Sequence, residues 1–130
     1  MKKILLTSGI IVFSTAMIFA AETKKYDEGF VVRFLHCLPS SQSLILTSDE
    51  GNISISRQIT GWSNGIKDNK CAYSEKVTTN NGTKTFSCNF TRAQIDELVS
   101  AMKSDPNGNS TAELTWNRYK NIPDVCAVED

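Results

Sequence analysis

The stretch KTFSCNFTRAQIDELVSAMK, residues 84–103, predicts a strand that runs directly into a helix. Phe86, Cys88 and Phe90 alternate, so they share one face of the strand. Threonine is favoured at the N-cap of a helix, and Thr91 comes directly after Phe90, the last apolar residue of the strand. We therefore expect the strand to end at Phe90 and the helix to begin just after Thr91.

Several signals support a helix over residues 92–103. Gln94 lies three residues after Thr91, which is the spacing of a capping box. Phe90 and Ile95 occupy the two positions of a hydrophobic staple. The residues that repeat at helical spacing and should face a core are Ile95, Leu98, Val99 and Met102. The run from Ser104 to Gly108 contains Pro106 and should end the helix.

The other segments predict a sheet. Four further stretches are rich in β-forming residues, namely residues 30–37, 43–47, 53–60 and 71–77. Arg57 interrupts the apolar face of its strand and is expected near the rim of the core. A second helix is predicted over residues 111–120 because Ser110 and Glu113 have capping-box spacing, although the alternation of residues 112, 114 and 116 leaves a strand as the alternative.

This order of elements predicts the α+β class. We expect an antiparallel β-meander covered on one face by one or two C-terminal helices. The four cysteines are Cys37, Cys71, Cys88 and Cys126, and an even number of cysteines behind an export signal predicts two disulfides that staple this fold.

The turn Asn81-Gly82 predicts the register of the last hairpin. A two-residue turn there would place Asn80 opposite Thr83 and Cys88 opposite Glu75. Cys71 would then lie about 13 Å further along its strand than the residue facing Cys88, which is too far for a disulfide. We therefore expect Cys71 and Cys88 to bond to Cys37 and Cys126, in either of the two remaining pairings.

The N-terminal residues have the pattern of a signal peptide. Lys2 and Lys3 precede an uncharged, largely apolar run of 18 residues from Ile4 to Ala21, and Ala20-Ala21 offers small residues for cleavage. We expect residues 1–20 to be removed and residues 21–130 to form one small disulfide-linked domain in the periplasm or outside the cell. After cleavage no membrane span is expected.

Charge and composition exclude some classes of function. Without Lys2 and Lys3, 12 of the 14 basic residues remain against 14 acidic ones, so the net charge is −2 and no nucleic-acid partner is expected. His36 is the only histidine, and no cysteine or histidine spacing indicates a metal site, so we predict neither a metal nor another cofactor.

Three residues are functional candidates. His36 adjoins Cys37 but should point to the opposite strand face from a disulfide-bonded cysteine. Glu75 could act as a general acid if buried, and we expect it at a solvated rim instead. Trp62, in the loop before Cys71, is a possible contact residue for a partner, the alternative being that it seals the end of the core.

These observations favour an exported, non-catalytic domain that binds a protein or a cell-envelope component, as an inhibitor, adaptor or effector does. We therefore predict that the protein is not an enzyme. One alternative is a small secreted hydrolase that uses carboxylates such as Glu75 or Asp68. Another is a purely structural envelope protein.

Cleavage of the signal segment can be tested by mass. The intact mass of the exported protein should lack residues 1 to about 20, because a basic start, an apolar run and a small-residue site precede that position. A mass that includes Met1 would contradict the prediction.

Overall fold

The described part of the chain forms a sheet of five antiparallel strands and three helices. The computed structural model describes residues 24–63 and 69–130, so the expected signal segment and Asp68 lie outside the described residues. In chain order the elements are α1 (Glu28–Leu35), β1 (Ser40–Ser48), β2 (Gly51–Trp62), β3 (Cys71–Thr79), β4 (Gly82–Phe90), α2 (Arg92–Ser104), α3 (Thr111–Lys120) and β5 (Cys126–Glu129). The strands are ordered β1-β2-β3-β4-β5 across the sheet, as a meander predicts.

The strand-to-helix joint is confirmed. The Thr91 hydroxyl accepts a hydrogen bond from the backbone N–H of Gln94 at 3.2 Å, and the Gln94 side chain accepts one from the N–H of Thr91 at 2.9 Å. This is a complete capping box. Phe90 and Ile95, the two residues of the expected staple, are both fully buried.

The first predicted strand is wrong, because residues 28–35 form helix α1. Asp27 caps this helix by accepting a hydrogen bond from the N–H of Phe30. Phe30 and Phe34 lie one helical turn apart and are buried against the sheet. The β-branched and aromatic residues suggested a strand, but burial of two aromatic rings on one helical face outweighs that weak local preference.

Helix α1 ends at a cysteine in the left-handed region. The backbone N–H of Leu38 bonds to the carbonyl of Arg33, and that of Cys37 bonds to the carbonyl of Phe34. These two bonds define a Schellman motif, in which Cys37 occupies the position that glycine usually takes, with φ 52°. The disulfide from Cys37 to Cys71 attaches this turn to the start of β3.

The predicted hairpin register is wrong by two residues. The turn consists of Asn80 and Asn81, so Thr79 pairs with Gly82 and Cys88 faces Tyr73 instead of Glu75. Gly82 supplies a positive φ of 126° just after the turn, as in hairpins built on a type I turn. Because the error is even, every residue stays on its expected face.

The corrected register changes the disulfide argument. Cys71 faces Phe90, so it lies only two residues from the position opposite Cys88, and the calculated offset of about 13 Å does not hold. The structure joins Cys37 to Cys71 and Cys88 to Cys126, which is one of the two pairings that the sequence left open. Cys126 faces Cys88 directly from β5, a short strand that the sequence pattern does not predict.

All three helices pack on the same face of the sheet, around one cluster of aromatic rings. Trp116 of α3 is its centre, with ring centroids 5.4 Å from Phe34 of α1, 5.2 Å from Tyr73 of β3 and 5.7 Å from Phe90 of β4. Tyr26 stacks on Trp116 from the segment before α1. The cluster therefore draws the helices toward the end of the sheet where β3 begins and β4 ends.

Helix α3 is confirmed over residues 111–120, but its predicted cap is wrong. The Ser110 side chain makes no capping hydrogen bond. The carboxylate of Asp105 accepts instead from the backbone N–H groups of Asn109, Ser110 and Ala112, at 3.1, 2.8 and 3.0 Å. These hydrogen bonds hold the pKa of Asp105 below its ordinary value, and the bond from Ser110 has the largest effect. One side chain thus fixes both the α2–α3 loop and the start of α3.

Two alanine variants separate the observed cap from the expected one. Asp105→Ala should lower the free energy of unfolding by about 1 kcal/mol or more, because three backbone donors lose their acceptor. Ser110→Ala is the matched control and should change it by less than about 0.5 kcal/mol. Urea unfolding measures both, and equal losses would contradict the Asp105 cap.

Candidate functional site

A row of polar side chains crosses the helix-covered face of the sheet. Gln42 of β1, Arg57 of β2 and Glu75 of β3 face one another in register, so they lie side by side on three neighbouring strands. On one side of this row are the aromatic cluster and the helices. On the other side, toward the β1–β2 and β3–β4 turns, the same face is only partly covered. The row therefore marks the boundary between the closed core and an open half-face.

Arg57 is buried in this row, so its expected place at the rim is wrong. Only 2% of the residue is exposed. Its guanidinium donates to the Gln42 side chain at 2.8 Å and to the carbonyl of Lys25 at 2.6 Å. It also lies 3.7 Å from the ring centroid of Phe30. Together with the Asp27 carboxylate, 3.7 Å from the guanidinium, these contacts compensate part of the cost of burying the charge and hold the segment before α1 against the sheet.

Glu75 is also buried, with 4% exposed, so the expected solvated rim position is wrong. Its carboxylate accepts from the Tyr73 hydroxyl at 2.6 Å and from the Lys120 ammonium at 2.5 Å. Burial alone would raise the pKa of Glu75, but the charge of Lys120 and the hydrogen bonds from Lys120 and Tyr73 outweigh it, so the pKa lies below its ordinary value. Burial raises the pKa of Tyr73, which therefore stays a donor.

A cleft of about 640 Å³ lies beyond the polar row. Its floor is the uncovered sheet face, and its apolar lining consists of Leu46, Ile53, Ile55, Val77 and Phe86. One wall is the solvent side of α3, which contributes Glu113, Asn117 and Lys120, and Lys25 adds to it. The rim near the β3–β4 turn is polar, with Thr79, Asn81, Thr83 and Lys84. The cleft is therefore apolar at its base and hydrophilic around its edge.

The charged groups at the closed end of the cleft are already paired. Lys120 bonds to Glu75, and its ammonium lies 4.5 Å from the ring centroid of Phe86. The ammonium of Lys25 lies 2.9 Å from the Glu113 carboxylate. Each positive charge that meets the apolar floor thus has a carboxylate partner. A ligand at this end meets no uncompensated charge.

The residues singled out in the sequence do not converge on the cleft. Trp62 lies at the other end of β2, opposite Cys71, where it packs half-buried against the core with the Arg92 guanidinium 5.7 Å from its ring. His36 is exposed at the end of α1, and Cys37 is in a disulfide. Glu75 alone lines the cleft, and the partner role of Trp62 stays a prediction.

Two further properties concern only residues 24–63 and 69–130. Within these ranges, no group of three or more histidine, cysteine, aspartate or glutamate side chains is arranged to hold a metal ion. Within the same ranges, every helix is too short or too polar to cross a membrane.

One feature of the sequence points to this site, namely a charged residue on the apolar face of each of two strands. Arg57 and Glu75 each interrupt an otherwise apolar face, and a charge on such a face needs a partner. Recognising them as neighbours requires the β2–β3 register. The sequence does not fix that register, because the eight residues 63–70 between the strands are too many for a two-residue hairpin turn. Lys25, Glu113 and Lys120 carried no signal, because surface helices and chain ends are rich in such residues.

The buried ion pair predicts a pH-dependent contribution to stability. Glu75→Gln should lower the free energy of unfolding by about 3 kcal/mol at neutral pH, because the Lys120 charge loses its buried partner. The folded-state pKa of Glu75 is lowered, so its contribution is present above the ordinary value of 4.5 and is lost as pH falls through the folded value. The difference between wild type and variant should therefore shrink below pH 4.5.

Glu113→Gln is the matched control for that measurement. Its side chain is 40% exposed, so losing the pair with Lys25 should cost less than about 1 kcal/mol. Urea unfolding over a pH series measures both variants. Equal costs, or a gap between wild type and Glu75→Gln that stays constant as the pH falls well below 4.5, would contradict the assignment of the buried pair.

Comparison of the whole chain with protein-family models, with curated proteins and with solved structures found no match.

Proposed function

We propose that this protein is an exported, non-catalytic binding domain, and that the cleft beside α3 takes an apolar segment of a partner protein. The observation that supports this most is the half-covered sheet face, which leaves a cleft of about 640 Å³ with five apolar side chains at its base. An apolar concave surface rimmed by polar groups is typical of a binding site for another molecule.

The charges at the closed end of the cleft favour an uncharged, apolar occupant there. The pairs Glu75–Lys120 and Lys25–Glu113 are satisfied within the protein, so an anionic group at that end would have to displace a carboxylate from its ammonium. Displacing the buried pair would leave Glu75 desolvated and unpaired, at a cost of several kcal/mol. Apolar side chains gain instead from covering Val77 and Phe86, at about 25 cal/mol per Å² of apolar area removed from water.

Export is part of the proposal. The two disulfides are compatible with an oxidising environment outside the cytoplasm. The N-terminal sequence pattern supports secretion, and a partner in the periplasm, in the envelope or outside the cell follows from it. Trp62, which is half-buried at the opposite end of the sheet, would be a second and separate contact.

A carboxylate hydrolase is the second candidate, because Glu75 and Glu113 line the same cleft. Such a hydrolase needs one carboxylic acid that keeps its proton near neutral pH. The pKa of Glu75 is shifted the other way, and its carboxylate is held by Lys120 and Tyr73. This arrangement suits a fixed structural charge better than a proton donor.

Site-specific photo-cross-linking in the producing cells tests the binding proposal. A photoreactive amino acid is placed at Thr79, which lines the cleft, and in a matched variant at Thr78, its neighbour on the opposite face of β3. We expect a covalent adduct with one defined partner protein from position 79 and not from position 78, because only the first side chain reaches the occupant.

The identified partner then allows a quantitative test. Val77→Glu places a charge on the apolar floor and should weaken binding about tenfold or more, whereas Lys76→Glu on the opposite face should leave it nearly unchanged. Adducts that form equally at positions 78 and 79, or none at either, would contradict the proposal. Turnover of a polymer substrate that both Glu75→Gln and Glu113→Gln abolish would favour the hydrolase.

A further inference from the structure

The two edges of the sheet differ in length and charge. Strand β5 has four residues, Cys126–Glu129, and its last residue is acidic, so one edge is short and carries a charge. Strand β1 has nine residues, Ser40–Ser48, with neither a charged residue nor a proline among them. In the described part of the chain β1 pairs only with β2, so its other side is an unpaired edge. Proteins usually protect a long edge of this kind with charges or bulges.

The centre of β1 is apolar and close to symmetric in sequence. Residues 43–47 read Ser-Leu-Ile-Leu-Thr, so the order of residue types is nearly the same in both directions. Ile45 is 63% exposed on the outer face of the sheet. Leu44 and Leu46 are half-buried on the inner face, beside Ile55 and Ile53 of β2. An antiparallel copy of this strand would match it residue for residue.

We propose that β1 is a homodimer interface, in which β1 pairs antiparallel with β1 of a second copy about a two-fold axis through Ile45. In this register Ile45 faces Ile45 of the partner subunit. Leu44 faces Leu46 of the partner subunit, and Ser43 faces Thr47 of the partner subunit. Apolar thus meets apolar on both faces, and hydroxyl meets hydroxyl, which are the cross-strand pairs that stabilise antiparallel strands.

The symmetry operation keeps the two faces of the sheet consistent. A two-fold axis perpendicular to the sheet rotates each copy within the plane, so the helix-bearing faces of both copies lie on one side. The five strands of each copy would form one continuous ten-stranded sheet. Leu46, which lines the cleft, would then lie beside Leu44 of the partner subunit, so the apolar floors of the two clefts would adjoin across the axis.

A second copy fits this edge better than a strand of unrelated sequence. A two-fold axis sets the residue on the axis opposite its own copy, and the pairing is destabilised when facing residues carry like charges. Strand β1 contains no charged residue, so pairing β1 with a second β1 opposes no like charges within the strand. A strand of unrelated sequence would need the same central pattern to match β1 on both faces of the sheet. That pattern is one apolar residue on the outer face between two apolar residues on the inner face.

The solution mass of the exported protein tests the proposal directly. Sedimentation equilibrium should give a dimer for wild type. Ile45→Lys would oppose two ammonium groups at the axis and should raise the dimer dissociation constant about tenfold or more. Ser54→Lys is the matched control, because Ser54 is the neighbour of Ile45 on β2, is also exposed, and lies one strand away from the edge. It should leave the dissociation constant unchanged within about twofold.

A cysteine variant tests the register and does not depend on how the lysine variants fold. In Ile45→Cys the two new thiols would lie on residues about 4.5–5.5 Å apart at Cα, within the range of a disulfide. Mild oxidation should give a covalent dimer whose bridge joins the two introduced thiols in peptide mapping, and Ser54→Cys should not. A monomeric wild type, a dimer unaffected by Ile45→Lys, or equal cross-linking of both cysteine variants would overturn the proposal.

Discussion

The packing of aromatic rings around Trp116 is the constraint on which the architecture depends. Rings from the segment before α1, from α1, from β3 and from β4 all lie within 6.1 Å of Trp116, centroid to centroid. The rings hold α1 and α3 over one end of the sheet, and α2 packs against both of these helices. Because large aromatic side chains contribute much of the apolar area that a small domain buries, this end becomes the core and the other stays open.

The polar row of Gln42, Arg57 and Glu75 lies where the covered half of the sheet face meets the open half. Without this row, the apolar sheet face would continue from the core to the solvent and leave a large exposed apolar surface. Arg57 and Glu75 instead place two charges at the boundary. Arg57 is paired with Asp27 and donates to Gln42 and to the carbonyl of Lys25, and Glu75 is paired with Lys120 and accepts from Tyr73. Such pairs add little net stability, but removing one member is costly, so they fix where α1 and α3 sit on the sheet.

Local patterns made much of the fold predictable, and long-range contacts decided the rest. The capping box at Thr91 and the central strands follow from neighbouring residues, and both are confirmed. A strand was predicted in place of helix α1 because its aromatic and β-branched residues favour a strand locally. The contacts that stabilise the helix are made with other elements of the fold. The hairpin register shifted by two because Gly82 stands after the turn instead of within it. The ion pair of Glu75 with Lys120 joins residues 45 positions apart, which no local pattern reports.

The order of the disulfides has a consequence for how the chain matures. Cys37 pairs with Cys71 and Cys88 pairs with Cys126, so the first cysteine bonds to the second and the third to the fourth, and the two loops do not overlap. A chain that enters an oxidising compartment with its N-terminus leading exposes its thiols in that same sequence. For the exported protein proposed above, oxidation of each successive pair on emergence would yield the native bonds directly, with an oxidant and without thiol reshuffling.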